Sequence, residues 1–338
     1  QGYGAVRGDG GTSRIGMAGP GPAIRIVGDH RGTGQPKSYQ PHTWEKERFP
    51  TVTGIEIVGE HPDAVGIELC KTTKTSVAHV LVRKCRYGIH LIERNRDFIL
   101  SDSHLLDNAD YGLFFDQCNL HQNIVHGNHI SWNKKAGIKS LNGDVHNLQI
   151  TGNDIEYNNN RSHRVPEADA VPTAEIYVDV GADGSVREGT IASNTIQATY
   201  SPGGANIRFI GNQAVGDHRT GMWSISGNLI GSQSVGIHLT AARGFAIEGN
   251  YIYSAHHRNV LVERSRNIVL GPNCIGHNPD YRNVELATGI RFEDCVNCVL
   301  AGLLIEDAEA GEHTVAGAEP IVRRGLIEFV RCRRVNVT

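Results

Sequence analysis

The sequence predicts an all-β fold, a chain wound into a parallel solenoid with three short strands to each turn and about ten turns, or rungs. Two recurring phrases and their spacing carry that prediction. In the first phrase an apolar residue stands three places before an Asn and Ile two places after it. In the second, Gly or a small residue precedes an apolar–any–apolar triplet. Self-similarity at a period of roughly 20 to 50 residues is the mark of a stacked repeat architecture.

The first phrase reads LQITGNDIEYN (148–158), TIASNTIQA (190–198), WSISGNLIGS (223–232), FAIEGNYIYS (245–254) and IVLGPNCIGH (268–277), with IVHGNHISWN (124–133) as a further copy. Its Asn positions are 128, 153, 194, 228, 250 and 273, so the steps are 25, 41, 34, 22 and 23 residues: a basic turn plus insertions. Ser103 and Leu303 hold the same place in weaker copies. The second phrase reads GIELC at 66, GIHLI at 88, GLFFD at 112, GIKS at 137, EIYVD at 175, NIRFI at 206, GIHLT at 236, NVLVE at 259 and GIRFE at 289. Alternation with period two marks both as strands. The Asn between them is expected to take the left-handed backbone of a tight bend, which Asn tolerates well. A β-sandwich would have no reason to repeat one bend residue at this register.

Ahead of Thr51 the chain is Gly-rich, with one strand-like run, AIRIVG (23–28). Residues 1–50 are read as a strand and loop region of the same domain, and 51–338 as the solenoid with insertions near 159–173 and 211–220. No capping helix is evident in 1–50. The loop 29–50, with Trp44, Lys46 and Arg48, is a candidate side wall.

Composition narrows the function classes. The 33 basic and 36 acidic side chains leave a formal charge of -3, unlike the clearly basic balance of a nucleic-acid binder. No apolar run approaches the ~20 residues that cross a bilayer, and no basic-then-apolar leader is visible. Seven cysteines leave at least one thiol unpaired, and Cys295 with Cys298 forms a lone C-x-x-C, read as structural. The 17 His show no metal-ligand spacing. His126 and His129 flank the Asn128 bend, His256 and His257 are adjacent and diverge, and no H-E-x-x-H occurs.

The quoted phrases resemble the right-handed parallel β-helix superfamily of pectate-lyase-like proteins, over roughly Thr51 to Thr338. The resemblance implies a right-handed, single-stranded helix of three sheets. It also implies a polysaccharide-binding groove along the strand before each variable turn, and a secreted or periplasmic location. Members usually begin with a capping helix, so either a cap has been removed or another element covers that end. Many β-helices trimerise side by side, and a homotrimer is a possible assembly.

Matching the phrases places GIxL on the groove strand, and alternation then separates its two faces. Outward runs the column Glu68, His90, Phe114, Lys139, Tyr177, Arg208, His238, Leu261 and Arg291. A second outward position at the strand end gives Asp116, Asp179, Glu263 and Glu293. Lys139, Tyr177, Arg208, His238, Asp116 and Asp179 are the catalytic candidates. Glu68, His90, Phe114, Arg291, Glu263 and Glu293 are substrate-binding candidates.

Three functions compete. The leading one is a polysaccharide lyase or C5 epimerase acting on an acidic glycan: Arg208 neutralises a uronate carboxylate, Lys139 or His238 is the base, and Tyr177 is acid or base. The R-x-P-x-x-R phrase of pectate lyases and the D-P-H-D phrase of alginate epimerases are absent. The second is a glycoside hydrolase or transglycosylase. Asp116 and Asp179, two rungs apart, would suit an inverting pair, and Glu263 and Glu293, one rung apart, a retaining pair. The third is a non-catalytic glycan-binding or tailspike-type β-helix. No cofactor or metal is expected; calcium would need clustered carboxylates, for which Asp116 with Asp179 is the loose candidate. The expected partner is a polysaccharide or oligosaccharide, with neither nucleic acid nor membrane.

Overall fold

Short runs of β-branched and aliphatic residues broken every few positions by Asn, Gly or Ser cannot build long strands. They build short ones that turn and stack. In the computed structural model, which describes residues 4–31, 36–160, 172–278, 280, 289–306, 311–313, 321–323 and 325–338, this is what the chain does. Thirty strands join one sheet folded round on itself, each paired in parallel with the equivalent strand of the next rung. Gly311–His313 and Ile321–Arg323 form a separate antiparallel pair.

Each rung visits three faces. One complete rung consists of Ala136–Leu141 on the first face, Asp144–Thr151 on the second and Asp154–Glu156 on the third. The next rung repeats this with Ala174–Asp179, Ser185–Ala192 and Thr195–Gln197. The GIxL phrase supplies the first face and the Asn phrase spans the second-to-third bend. The solenoid starts earlier than Thr51. Ala5–Arg7 pairs with Thr51–Thr53, Arg14–Met17 with Glu56–Gly59, and the AIRIVG run, as part of Gly21–Val27, with Ala64–Cys70. The loop expected over 29–50 contains a short helix, Pro41–Lys46, which lies against the flank: Thr43 donates to Asp29 at 2.8 Å, and the Lys74 ammonium sits 4.4 Å from the Trp44 ring centre. No helix among the described residues is long and apolar enough to cross a membrane.

Inward positions stack by type. Ile138, Ile176, Ile207, Ile237, Val260 and Ile290 form one buried file, each worth roughly 1.5–3 kcal/mol for full burial. Phe209 meets Trp223 and Phe245 edge-on, with centroids 4.8 and 5.0 Å apart. Gly189 precedes Trp223 in its file because a Cβ there would lie 2.3 Å from the indole.

The recurring Asn do share one bend and one column, but they do not take the left-handed backbone. For five of the six that conformation falls on the residue before, at Gly127, Gly152, Ser193, Gly227 and Gly249. The Asn side chains turn inward instead. The backbone N–H of Asn128 donates to Asn153 Oδ1 (3.0 Å), Asn153 to Asn194 (2.9 Å), Asn194 to Asn228 (3.0 Å), Asn228 to Asn250 (3.0 Å) and Asn250 to Asn273 (3.0 Å). Ser103 extends the ladder, its N–H donating to Asn128 (3.1 Å) while its hydroxyl accepts from Val80 N–H (3.2 Å). The side chain is thus selected for its amide, which satisfies buried bend groups that no strand can reach.

A second ladder runs along the third-to-first bend. Asn108 donates to Asn133 (3.2 Å), Asn133 to Asn158 (3.0 Å), and Asn158 to the carboxylate of Glu175 (3.0 Å). Glu175 is fully buried, and burial raises its pKa well above the usual carboxylate range against the opposing hydrogen bonds from Asn158.

Candidate active site

Register fixes the first-face column without ambiguity. On the first face the pairing runs Arg25, Glu68, His90, Phe114, Lys139, Tyr177, Arg208, His238, Leu261, Arg291, Glu328. All nine column residues read from the sequence are therefore neighbours in a single line, with Arg25 and Glu328 added at its ends. The strand-end column also holds. Leu141 separates Asp116 from Asp179, and Glu263 pairs directly with Glu293.

Most charges in this line neutralise one another. The His90 ring lies between Glu68 (3.3 Å) and Asp116 (3.1 Å). His238 Nε2 meets Glu263 at 2.8 Å, and Arg291 binds Glu293 (2.8 Å) and Glu328 (3.3 Å). The hydrogen bond from His238 holds the Glu263 carboxyl below its ordinary range. Arg291, and after it Arg331, does the same for Glu293. Burial pulls the His238 imidazolium down, although Glu263 opposes it.

The centre of the line differs. Lys139 is only 5% exposed, and its ammonium lies 3.2 Å from the Tyr177 ring centre. Among the described residues it has no carboxylate within ion-pair distance. Burial pushes its pKa down to about 8; Asp179 opposes the shift, and Arg208 adds to it. Arg208 flanks the other side of Tyr177, 5.6 Å from the ring centre, and one of its terminal nitrogens donates to the Gly203 carbonyl. Its Nε is buried without a partner among the described residues. Burial raises the Tyr177 phenol pKa, which Arg208 partly offsets. Asp179 is occupied at one oxygen by the Gly181 N–H (2.9 Å).

The turns bordering the line are the insertion-bearing ones. Residues 161–171 of the first insertion lie outside the described residues. Loop 211–219 leaves the Arg208 strand and is pinned toward the second face. There Asp217 accepts from Arg187 (2.7 Å), and Arg219 donates to the Asp183 carbonyl (2.7 Å). All seven cysteines are free thiols, and Cys85, Cys118, Cys295 and Cys298 are core residues.

Sequence reasoning missed a cluster of possible metal ligands on the second face. His121 and His146 are paired neighbours in adjacent rungs, and with Asp144 they bring one ligand atom each to within 4.8 Å of one another. Their 25-residue separation equals the rung repeat between Asn128 and Asn153, a signal that lies in the repeat and not in any short-range ligand spacing.

A family model described as periplasmic copper-binding protein (NosD) matches residues 42–171. No curated protein matches the chain. Among solved structures, the Azotobacter vinelandii mannuronan C-5 epimerase AlgE6 A-module superposes with a TM-score of 0.59 at 12% identity, covering 97% of this chain and 81% of that one. The AlgE4 A-module of the same organism gives 0.56 at 14%, covering 88% and 77%. The Dettilon tailspike protein gives 0.52 at 13%, covering 93% and 68%. At these identities the likeness speaks to fold. Together with the three-face register, it makes the chain a right-handed parallel β-helix protein.

Proposed function

We propose that the chain is a carbohydrate-active enzyme acting on an acidic polysaccharide, with Lys139, Tyr177 and Arg208 as its reacting centre. The observation that carries this reading is the pairing of two buried cations about one phenol, without the carboxylates that neutralise the rest of the line. A uronate in the groove would bring the missing anion. Arg208 takes the carboxylate; Lys139, part neutral near pH 8, accepts the C5 proton as its electron pair moves into the carboxylate. Two outcomes follow from that enolate. Expulsion of the C4–O bond, with Tyr177 protonating the leaving oxygen, is β-elimination. Return of a proton from Tyr177 to the opposite face is C5 epimerisation. His238, bound to Glu263, borders the site as a positioning group. The likeness to mannuronan epimerases agrees with a glycan substrate, and the periplasmic setting in the matched family's description agrees with action outside the cytoplasm.

The test is incubation of the purified protein with a panel of polyuronides in D2O. Unsaturated chain ends identify a lyase, and deuterium at C5 with inverted residues an epimerase. New saturated reducing ends would instead move the chemistry to the carboxylate pairs. No change in any polyuronide would overturn the enzymatic reading.

A further inference from the structure

We propose that His121, Asp144 and His146 form a binding site for one divalent transition-metal ion on the second face. The donor set is two imidazoles and one carboxylate, which suits ions such as Zn²⁺ rather than the oxygen-seeking Ca²⁺ or Mg²⁺. The solenoid supplies the convergence. His121 and His146 stack with ring centroids 4.7 Å apart and planes 7° from parallel, as neighbours one rung apart. Asp144 sits two residues before His146, on the same outward side of the strand, with Oδ1 2.9 Å from His146 Nε2. A Zn²⁺ ion with bonds of roughly 2.0–2.2 Å would need these two atoms to part slightly and His121 to lean in, leaving a fourth position open.

One further contact holds a donor as metal ligands are held, and a second group stands close by. Asn119 Nδ2 donates to Asp144 Oδ2 at 2.6 Å, which orients the carboxylate and leaves Oδ1 facing the imidazole. The Glu188 carboxylate stands 3.6 Å from His146 Nδ1, on the ring edge away from Asp144 and just beyond hydrogen-bond distance. Outer carboxylates and amides of this kind fix imidazole tautomer and ligand orientation. Of the neighbouring cations, Arg187 pairs with Asp217 (2.7 Å) and Arg96 with Asp97 (3.7 Å), whereas Arg94, which donates to the His30 ring (3.0 Å), still acts electrostatically on His121 and Asp144. The third face offers an internal comparison. His104 and His129 also stack, at 5.0 Å, and His129 lies 3.3 Å from Asp154, yet these three do not converge within the same limit.

Titration calorimetry of the tag-free, metal-stripped protein with Zn²⁺, then Ca²⁺, tests the site. One Zn²⁺ per chain is expected, with affinity reduced at least thirtyfold in His121→Ala, His146→Ala and Asp144→Asn. It should stay within about twofold of the parent in His129→Ala, and Ca²⁺ should not bind there. The melting temperature of each metal-free variant, compared with the parent, confirms that the fold survives. In a variant that does not fold, His146→Gln replaces His146→Ala. The proposal fails if no 1:1 binding tighter than ~0.1 mM is seen. It also fails if His121→Ala binds as the parent does, or if His129→Ala loses Zn²⁺ equally. Because binding is read without substrate, none of these outcomes depends on the polysaccharide chemistry.

Discussion

Taking the Lys139 ammonium out of water and giving it an aromatic face in place of an anion favours its neutral form, so its pKa falls from 10.5 to about 8. The sign of the stability effect follows. The unfolded chain holds the proton more tightly, so the folded state is disfavoured below pH 8, by up to about 3 kcal/mol, and recovers as pH rises from about 8 to 10.5. Lys139→Met should therefore raise the melting temperature at pH 7 while abolishing turnover, as thermal unfolding and product assays on one preparation would show. Lys139→Ala and Arg208→Ala should each lower kcat/KM at least a hundredfold, on the order of 3 kcal/mol of transition-state stabilisation, with the fold intact. In the parent, kcat/KM should climb with pH to a plateau above about 8, the proton leaving Lys139 along that limb. A pH profile flat from 6 to 9 would remove Lys139 as the base.

The bends, more than the strands, make this solenoid specific at the level of its elements. An Asn at ladder position 194 accepts from Asn153 N–H (2.9 Å) and Asn153 Nδ2 (3.0 Å), and donates to Asn228 (2.9 Å) and the Ile150 carbonyl (3.0 Å). Asn194→Ala leaves buried donors and acceptors with no partner, and chemical denaturation should register a loss of about 2–4 kcal/mol. Glu175 presents the opposite case, a carboxylic acid ending a ladder of amides. With its folded pKa raised, stability falls as pH rises from 4.5 toward that higher value, because the unfolded chain ionises first. Glu175→Gln keeps an acceptor for Asn158 and removes the titration. It should be at least as stable at pH 7, with a flatter stability-versus-pH curve over that range, as denaturation at a series of pH values would show.

Across the whole molecule, the formal charge of -3 says little about what the first-face line attracts. What matters is which cations keep no carboxylate. Arg291 is spent on Glu293 and Glu328, whereas Lys139 and Arg208 have none within ion-pair distance among the described residues. Apparent affinity for an acidic glycan should fall as salt rises, and the salt slope should flatten in Arg208→Ala but barely change in Arg291→Ala. Michaelis constants across an ionic-strength series distinguish these. A neutral glycan turned over efficiently with no salt effect would contradict the acidic-substrate reading.

The architecture and the membership of the first-face line were determined by the sequence, because a solenoid's long-range contacts are its own repeat. Once GIxL and the Asn phrase were aligned, Lys139, Tyr177, Arg208 and His238 had to be neighbours, since rung pairing is register and nothing else. Three things only the tertiary structure decided. Which candidates neutralise one another depends on side-chain reach across rungs, so His238 with Glu263 and Arg291 with Glu293 could not be separated from the unpaired centre by position alone. The recurrence of the Asn points to a bend but not to which group makes it: the Asn amide does the bonding, and in five of the six copies the preceding residue takes the left-handed backbone. The convergence of His121, Asp144 and His146 was hidden for a related reason: metal ligands adjacent in space stand a full turn apart in the chain. Periodicity specifies which backbones stack, while the packing of individual side chains between them specifies charge, desolvation and ligand geometry.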